Sequence, residues 1–108
     1  MFKLTDNPKY GTSLQSYIKC SYVQLEKLFG TPQHSDEYKV SSEWIFHDEE
    51  GNEATLYDYK ETNLYDQDLP TVEEFRKLPS FEWHVGAANS ETANKFIAWL
   101  LEELRKGK

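Results

Sequence analysis

Three histidines and one cysteine are the side chains of this sequence most often used for catalysis or metal binding. His34, His47 and His84 lie in separate segments, which does not match the spacing of a zinc site, so we predict no metal ion. Cys20 would have to meet His84 to form a thiolate pair. The alternating pattern of their segments predicts that they face opposite sides of a sheet, so Cys20 is interpreted as a small buried apolar residue.

Acidic residues are abundant, and many of them fall in residues 48–50 and 66–74. Carboxylates in loops are solvated and keep ordinary pKa values, whereas general acid catalysis needs perturbed ones. The sequence also contains no glycine-rich phosphate loop, nucleophile elbow or dinucleotide-binding motif. We therefore predict no catalytic residue and no cofactor, and keep a small enzyme that uses His84 with an acid as a minor alternative.

The negative charge is concentrated in the middle of the chain. Residues 48–74 contain ten acidic residues and one base, Lys60, a formal charge of −9, while the other residues carry +2, which gives −7 for the chain. Such a stretch repels phosphate backbones and attracts basic surfaces, so we predict a basic protein partner and no direct binding of DNA or RNA. The candidate contact residues in this stretch are Glu49, Glu50, Asp58, Asp66 and Asp68.

The single cysteine and the lack of long apolar runs bear on the compartment. A lone cysteine cannot form an intrachain disulfide, which favours a reducing environment. No run approaches the roughly 18 to 20 apolar residues of a membrane span, and residues 1–8 lack the apolar stretch of a signal peptide. We expect a cytoplasmic protein without membrane contacts.

Alternation of apolar and polar side chains predicts four strands. The two central strands flank a polar loop that contains Gly51 and Asn52, the composition of a hairpin loop. Residues 1–11 show no period and are predicted to form a loose N-terminal arm. The predicted strands cover residues 12–20, 38–47, 53–60 and 81–86.

Capping motifs and helical spacing predict three helices. Ser21 begins the first as the N-cap of a capping box, and a glycine and a proline end it. Thr71 begins a short second helix, which runs to about Leu78 inside an acidic insertion, residues 61–80. Asn89 or Ser90 caps a final amphipathic helix whose apolar residues follow helical spacing.

The predicted elements form one domain, residues 1–108, in the order strand, helix, strand, strand, short helix, strand, helix. Short connections favour an α+β fold with a four-stranded, mostly antiparallel sheet and two long helices on one face. Alternation then places Trp44 and Trp83 beneath the helices and a set of tyrosines on the uncovered face, where tyrosines are typical of recognition surfaces. The candidate contact residues on that face are Gln15, Tyr17, Tyr57 and Tyr59.

Four short motifs between residues 11 and 86 stand out. They read G-T-S-L-Q-S-Y, L-F-G-T-P, E-W-I-F followed by G-N-E-A-T-L-Y-D, and W-H-V-G. Together they resemble a family of small, uncharacterised tailed-bacteriophage proteins with the pattern G-T-S-L-Q-G-Y, F-G-x-P, W-x-I-x-F-x-D-G-x-x-A-T-I-Y-D and W-H-I-G-G. The chain departs from it at Ser16 and Ala87, where the pattern has glycines, and at residues 50–53, which replace its D-G turn. The resemblance implies phage origin and a compact α+β fold, and it brings no reaction.

Two functions are compatible with these observations. The first is a non-enzymatic acidic protein that engages a basic host protein, modulating or inhibiting it by nucleic-acid mimicry or as a counter-defence factor in the host cytoplasm. The second is a small-ligand or nucleotide-binding protein that sequesters its ligand at the strand ends. A homodimer through the final helix also stays open. The residues of the alternative ligand site are Thr12, Ser13, Trp83, His84 and Gly86.

Overall fold

The computed structural model describes residues 1–6, 11–33, 35 and 39–107. The predicted turn at Asn7, the loop histidine His34 and the first residue of the predicted hairpin, Tyr38, lie outside these ranges. The described part contains five strands and three helices. In chain order they are β1 (Lys3–Leu4), β2 (Ser13–Cys20), α1 (Tyr22–Phe29), β3 (Glu43–His47), β4 (Glu53–Tyr57), α2 (Val72–Arg76), β5 (Phe81–Ala87) and α3 (Ser90–Lys106).

The strands form one sheet in the order β1-β3-β4-β5-β2, and every neighbouring pair is antiparallel. The α+β class and the antiparallel sheet are confirmed, with five strands instead of the predicted four. Of the two helices predicted to be long, α3 has 17 residues and α1 only 8. The helix α1 is short because Gly30 follows it with a φ of 81°, a conformation that stops the helix.

The additional strand β1 corrects the prediction of a loose N-terminal arm over its first residues. Lys3 pairs with His47 and Leu4 with Phe46 at the edge of the sheet. Phe2 is 6% exposed, and its ring centroid lies 5.2 Å from that of Phe96. A two-residue strand is too short to show alternation, which is why the sequence did not predict it. In the structure, burial of the Phe2 ring stabilises this segment.

The hairpin of β3 and β4 forms as predicted, with His47 opposite Glu53 and Glu43 opposite Tyr57. Its five-residue loop is organised by Asp48, whose carboxylate accepts hydrogen bonds from the backbone N–H groups of Glu50 and Asn52. Gly51 has a φ of 82°, so the left-handed position in this loop is occupied by glycine. Backbone N–H groups of the loop are therefore hydrogen-bonded to a side chain of the same loop.

Three helix starts match the predicted caps. Ser21 and Gln24 form a capping box at α1, and Thr71 and Glu74 form one at α2. At α3, Asn89 is the N-cap, since its side chain accepts a hydrogen bond from the backbone N–H of Thr92 over 2.8 Å. These local motifs were recognisable because each depends on residues at most three positions apart.

The hydrophobic core lies between the sheet and the helices, as the alternation predicted. Trp44 and Trp83 are fully buried, with ring centroids 5.6 Å apart. Each indole is also satisfied: Trp44 donates to the carbonyl oxygen of Gly30 and Trp83 to that of Cys20, both over 3.0 Å. Phe75 of α2 contacts Trp83 from the same side. The helices therefore leave the other face of the sheet without helical cover.

A β-bulge in β2 changes the alternation at one position. Leu14 pairs with Gly86 and Ser16 with Val85, so Gln15 is the extra residue. The pairing with Gly86 puts Leu14 on the helix-free face, where it is 45% exposed, although unbroken alternation would place it on the same face as Ile18 and Cys20. The amide of Gln15 donates to the carbonyl oxygen of Ala87 over 3.4 Å. Gln15 therefore bridges two strands at the bulge.

Candidate functional site

The candidate site is a row of side chains across the helix-free face of the sheet. In the register of the strands, Tyr17 of β2 lies opposite His84 of β5, and His84 lies opposite Tyr57 of β4. Tyr57 in turn lies opposite Glu43 of β3. Directly opposed residues of antiparallel strands point to the same face, so backbone pairing alone brings these four side chains together.

Aromatic rings surround His84. Its ring centroid lies 5.0 Å from that of Tyr17, 5.3 Å from that of Tyr57 and 5.9 Å from that of Tyr59. The Tyr57 ring is stacked on the imidazole with an interplanar angle of 29°. Tyr17 is 47% exposed and Tyr59 38%, so the set is open to solvent. We call Tyr17, Tyr57, Tyr59 and His84 the tyrosine face.

His84 is held in its neutral form. Burial lowers the pKa of His84 below its ordinary value, against the opposing influence of the carboxylates of Glu61, Asp58 and Glu82. Its Nδ1 atom is buried and has no hydrogen-bond partner among the described residues. In the protonated ring both nitrogen atoms carry a hydrogen, so the buried Nδ1–H group would have no acceptor, which costs free energy. The ring therefore contributes an uncharged aromatic surface.

Carboxylates border the tyrosine face. Glu61 and Glu82 act electrostatically on His84, and Glu43 acts on Tyr57. Burial raises the pKa of Tyr57, and the charge of Glu43 raises it further, so this phenol stays protonated. We call Glu43, Glu61 and Glu82 the acidic rim. Lys19 lies opposite Glu82 in the register, so the site combines uncharged aromatic rings with three carboxylates and, at the edge strand β2, the ammonium group of Lys19.

Lys60, which follows Tyr59 in the chain, makes a cation–π contact with the Tyr59 ring of the tyrosine face. The ammonium nitrogen of Lys60 lies 5.1 Å from the ring centroid of Tyr59 and 5.0 Å from that of Tyr65. Lys60 adopts a φ of 59°, which turns the chain sharply after Tyr59. Cation–π contact is therefore a property that the tyrosines of this region display within the protein itself.

Asp58 is not part of the acidic surface, which corrects its predicted role. The residue is fully buried, and its carboxylate accepts hydrogen bonds from the backbone N–H groups of Ser41 and Ser42 and from the Ser41 hydroxyl. Burial raises its pKa, and these three hydrogen bonds oppose the rise. Asp58 shares the strand parity of Leu56, which points to the core. Its carboxylate therefore ties the start of β3 to the end of β4.

The acidic stretch of the sequence is divided in space. Glu49 and Glu50 lie at the turn of the hairpin, where the Glu49 carboxylate pairs with the amino group of Met1 over 2.5 Å. Asp66 and Asp68 lie in the segment that leaves the opposite end of β4. A five-residue strand separates the two groups by about 15 Å. The predicted single acidic contact surface is therefore divided between the two ends of β4, and the second group follows the end that carries Tyr57.

The residues of the alternative ligand site do not form one pocket. Trp83 is fully buried on the helix side, while the adjacent His84 faces the other side of the sheet. Gly86 is explained by packing, because a Cβ atom there would lie 2.4 Å from the Thr55 hydroxyl oxygen. Ser13 begins β2, four residues before Tyr17, and Thr12 precedes the strand. The structure brings Ser13 close to Gly86, since the Ser13 carbonyl oxygen lies 3.6 Å from the position of a Cβ atom at Gly86, but it does not bring the Trp83 side chain to the face of His84.

The thiol of Cys20 is a further candidate for chemistry, and it is buried. Burial raises the pKa of the Cys20 thiol to about 12, so the thiol stays protonated, and it lies on the face opposite His84. No group of three metal-binding side chains occurs among the residues the structure describes. In the same part of the chain, no helix has the length and apolar character to cross a bilayer.

Sequence reasoning missed one member of the site, Glu61. Glu61 follows the end of β4, where alternation stops, and its position depends on the left-handed turn at Lys60. A positive φ at lysine has no signal in the sequence. By contrast, Glu43, Glu82 and His84 follow directly from strand parity.

No protein-family model matches this chain, and no curated protein matches it either. The function is therefore inferred from the geometry of the site.

Proposed function

We propose that this protein is a non-enzymatic binding protein that engages a basic surface of another protein through the tyrosine face and the acidic rim. The observation that supports the proposal is the ring of three tyrosines around a neutral His84, bordered by Glu43, Glu61 and Glu82, on the side of the sheet without helices. Tyrosines supply contact area at a low entropic cost, and they are enriched among the residues that dominate binding energy.

The charge of the chain supports a basic partner. The carboxylates near the tyrosine face steer a positively charged surface toward it and repel negatively charged ones. Exposed Asp66 and Asp68, beyond the end of β4, extend this negative region. The hairpin turn with Glu49 and Glu50 lies at the other end of the sheet and is not part of the contact in this proposal.

The resemblance to small tailed-bacteriophage proteins favours a partner in a bacterial host. In that setting the protein acts in the host cytoplasm, where it occupies a basic surface that would otherwise contact nucleic acid or another acidic molecule. Such occupation would modulate or inhibit the host protein, as in counter-defence.

The proposal is tested with three variants that change the formal charge equally. The first carries Glu61→Lys and Glu82→Lys in the acidic rim. The second carries Asp66→Lys and Asp68→Lys, and the third carries Glu49→Lys and Glu50→Lys at the hairpin turn. Each tagged variant and the wild type are used to capture proteins from a bacterial lysate at low and high salt, with folding checked by circular dichroism.

A partner as proposed binds the wild type and the hairpin-turn variant and is lost from the rim variant, with weaker binding at high salt. Equal loss from all three variants would indicate non-specific charge attraction. Capture that depends on Glu49 and Glu50 alone, or that survives the rim reversal, would show that the tyrosine face is not the contact surface.

A further inference from the structure

We propose that the tyrosine face is a receptor site for one arginine side chain of the partner, whose guanidinium stacks on the rings and pairs with the acidic rim. This inference rests on the proposed function and specifies what that surface recognises. The occupant is an arginine on the surface of a basic protein, and complementarity of charge and of ring geometry selects it.

The ring geometry brings several aromatic rings together in one site. Tyr57 and His84 are stacked, and the more exposed Tyr17 stands at 62° to His84. A flat cation that approaches from solvent can stack on the face of one of these rings, the part of the ring that attracts a cation. Contacts of this kind contribute more when the cation is partly desolvated, as it would be between a partner surface and this sheet.

The acidic rim supplies the counter-charge. Glu61 and Glu82 lie close enough to His84 to affect its pKa, and Glu43 lies beside Tyr57. A guanidinium can stack on an aromatic plane and donate to a carboxylate at the same time, because its donors lie in the plane of the group. An ammonium group is a compact and strongly hydrated charge that lacks this combination. Arginine is therefore favoured over lysine.

The protein already contains cation–π contacts of both kinds of cation. Within the chain, the guanidinium carbon of Arg76 lies 4.6 Å from the ring centroid of Tyr22, and the ammonium of Lys60 lies between the rings of Tyr59 and Tyr65. Tyr17 and Tyr57 lie on the two strands that neighbour β5, one on each side of His84. Their rings are the part of the face that an external cation would contact.

Neutral His84 is required for this binding. The groups beside it come from each neighbouring element: Tyr17 and Lys19 from β2, Tyr57 from β4, Glu82 from β5, and Tyr59 and Glu61 from the segment after β4, while Asp58 acts on it from the core side. A proton on the imidazole would put a second positive charge beside the guanidinium. Binding should therefore weaken when His84 is protonated, while the nearby carboxylates are still ionised.

The test uses the full chain labelled with ¹⁵N and a short peptide, acetyl-Gly-Arg-Gly-amide, followed by amide chemical shifts. The matched control peptide carries citrulline, which keeps the planar shape and removes the charge. We expect millimolar binding of the arginine peptide, with shifts centred on Tyr17, Tyr57 and His84, and no saturable shifts with citrulline. Binding should also weaken as the pH is lowered through the titration of the His84 ring.

Two variants localise the effect. Tyr17→Leu removes an exposed ring and should weaken binding about tenfold, whereas Glu49→Gln at the hairpin turn should leave it unchanged. Equal shifts with arginine and citrulline, no saturable shifts with either, or shifts centred elsewhere would overturn the arginine site. The proposed function would then still stand or fall by the capture experiment with the rim and hairpin-turn variants.

Discussion

The hydroxyl of Ser41 donates a hydrogen bond of 2.6 Å to the carboxylate of Asp58, which also accepts the backbone N–H groups of Ser41 and Ser42. The backbone N–H of Asp58 returns a hydrogen bond to the carbonyl oxygen of Ser42. These contacts join the residues that precede β3 to the residue that follows β4. They close the end of the hairpin at which the tyrosine face is built.

Replacing Asp58 by Ala should therefore destabilise the fold. Two buried backbone donors lose their acceptor, and each costs about 1 to 3 kcal/mol, so we expect a loss of about 3 kcal/mol in the free energy of unfolding. Urea denaturation followed by tryptophan fluorescence measures it. Asp68→Ala, at an exposed position, is the control and should change stability by less than about 0.5 kcal/mol. Similar values for both variants would contradict the structural role of Asp58.

Gly86→Ala should destabilise the sheet for a steric reason. The added Cβ would lie 2.4 Å from the hydroxyl oxygen of Thr55, and overpacking of this kind costs about 2 kcal/mol. Thr55→Ala removes the clashing atom, so the double variant should be more stable than the sum of the two single effects predicts. Strictly additive effects in urea denaturation would mean that the two side chains do not compete for this space.

The stability of the protein should depend on pH through His84. In the unfolded chain His84 titrates near its ordinary pKa of 6.5, and in the fold its pKa is lower. As the pH falls below 6.5, the unfolded chain takes up the proton first, so the free energy of unfolding decreases until the pH is below the folded-state pKa. His84→Gln removes this contribution, and its loss of stability between about pH 7.5 and pH 5 should be smaller than that of the wild type. Identical pH dependence in the two proteins would show that the imidazole is not perturbed.

Phe2→Ala should release the N-terminal strand and lower stability. The buried ring contacts Phe96 and Trp99, and its removal leaves a cavity worth about 3 kcal/mol. Hydrogen exchange should show loss of protection at Thr5, whose backbone N–H donates to Ile45. Leu101→Ala, at a position 53% exposed on α3, is the control and should have little effect. Unchanged protection at Thr5 would mean that Phe2 does not anchor this strand.

Short-range patterns were enough to predict most of the architecture. The capping boxes at Ser21 and Thr71 and the turn at Gly51 act over a few residues, so the sequence contains the whole of their physical cause. Alternation likewise placed Trp44 and Trp83 in the core and Tyr17 and Tyr57 on the other face. The same parity assigns Asp58 to the core side, where hydrogen bonds from Ser41 and Ser42 let a charged residue be buried, so its charge did not place it on the surface.

The sequence by itself determined which side chains each strand presents to each face, because successive residues of a strand must point in opposite directions. Only the tertiary structure decided which faces meet. Strand order placed His84 between Tyr17 and Tyr57, and the bulge at Gln15 moved Leu14 out of the core pattern. The hairpin carried Glu49 and Asp66 to opposite ends of the sheet, although both belong to one acidic stretch. These outcomes depend on pairing between distant segments, whose free energy comes from burial and hydrogen bonding that no local window of sequence contains.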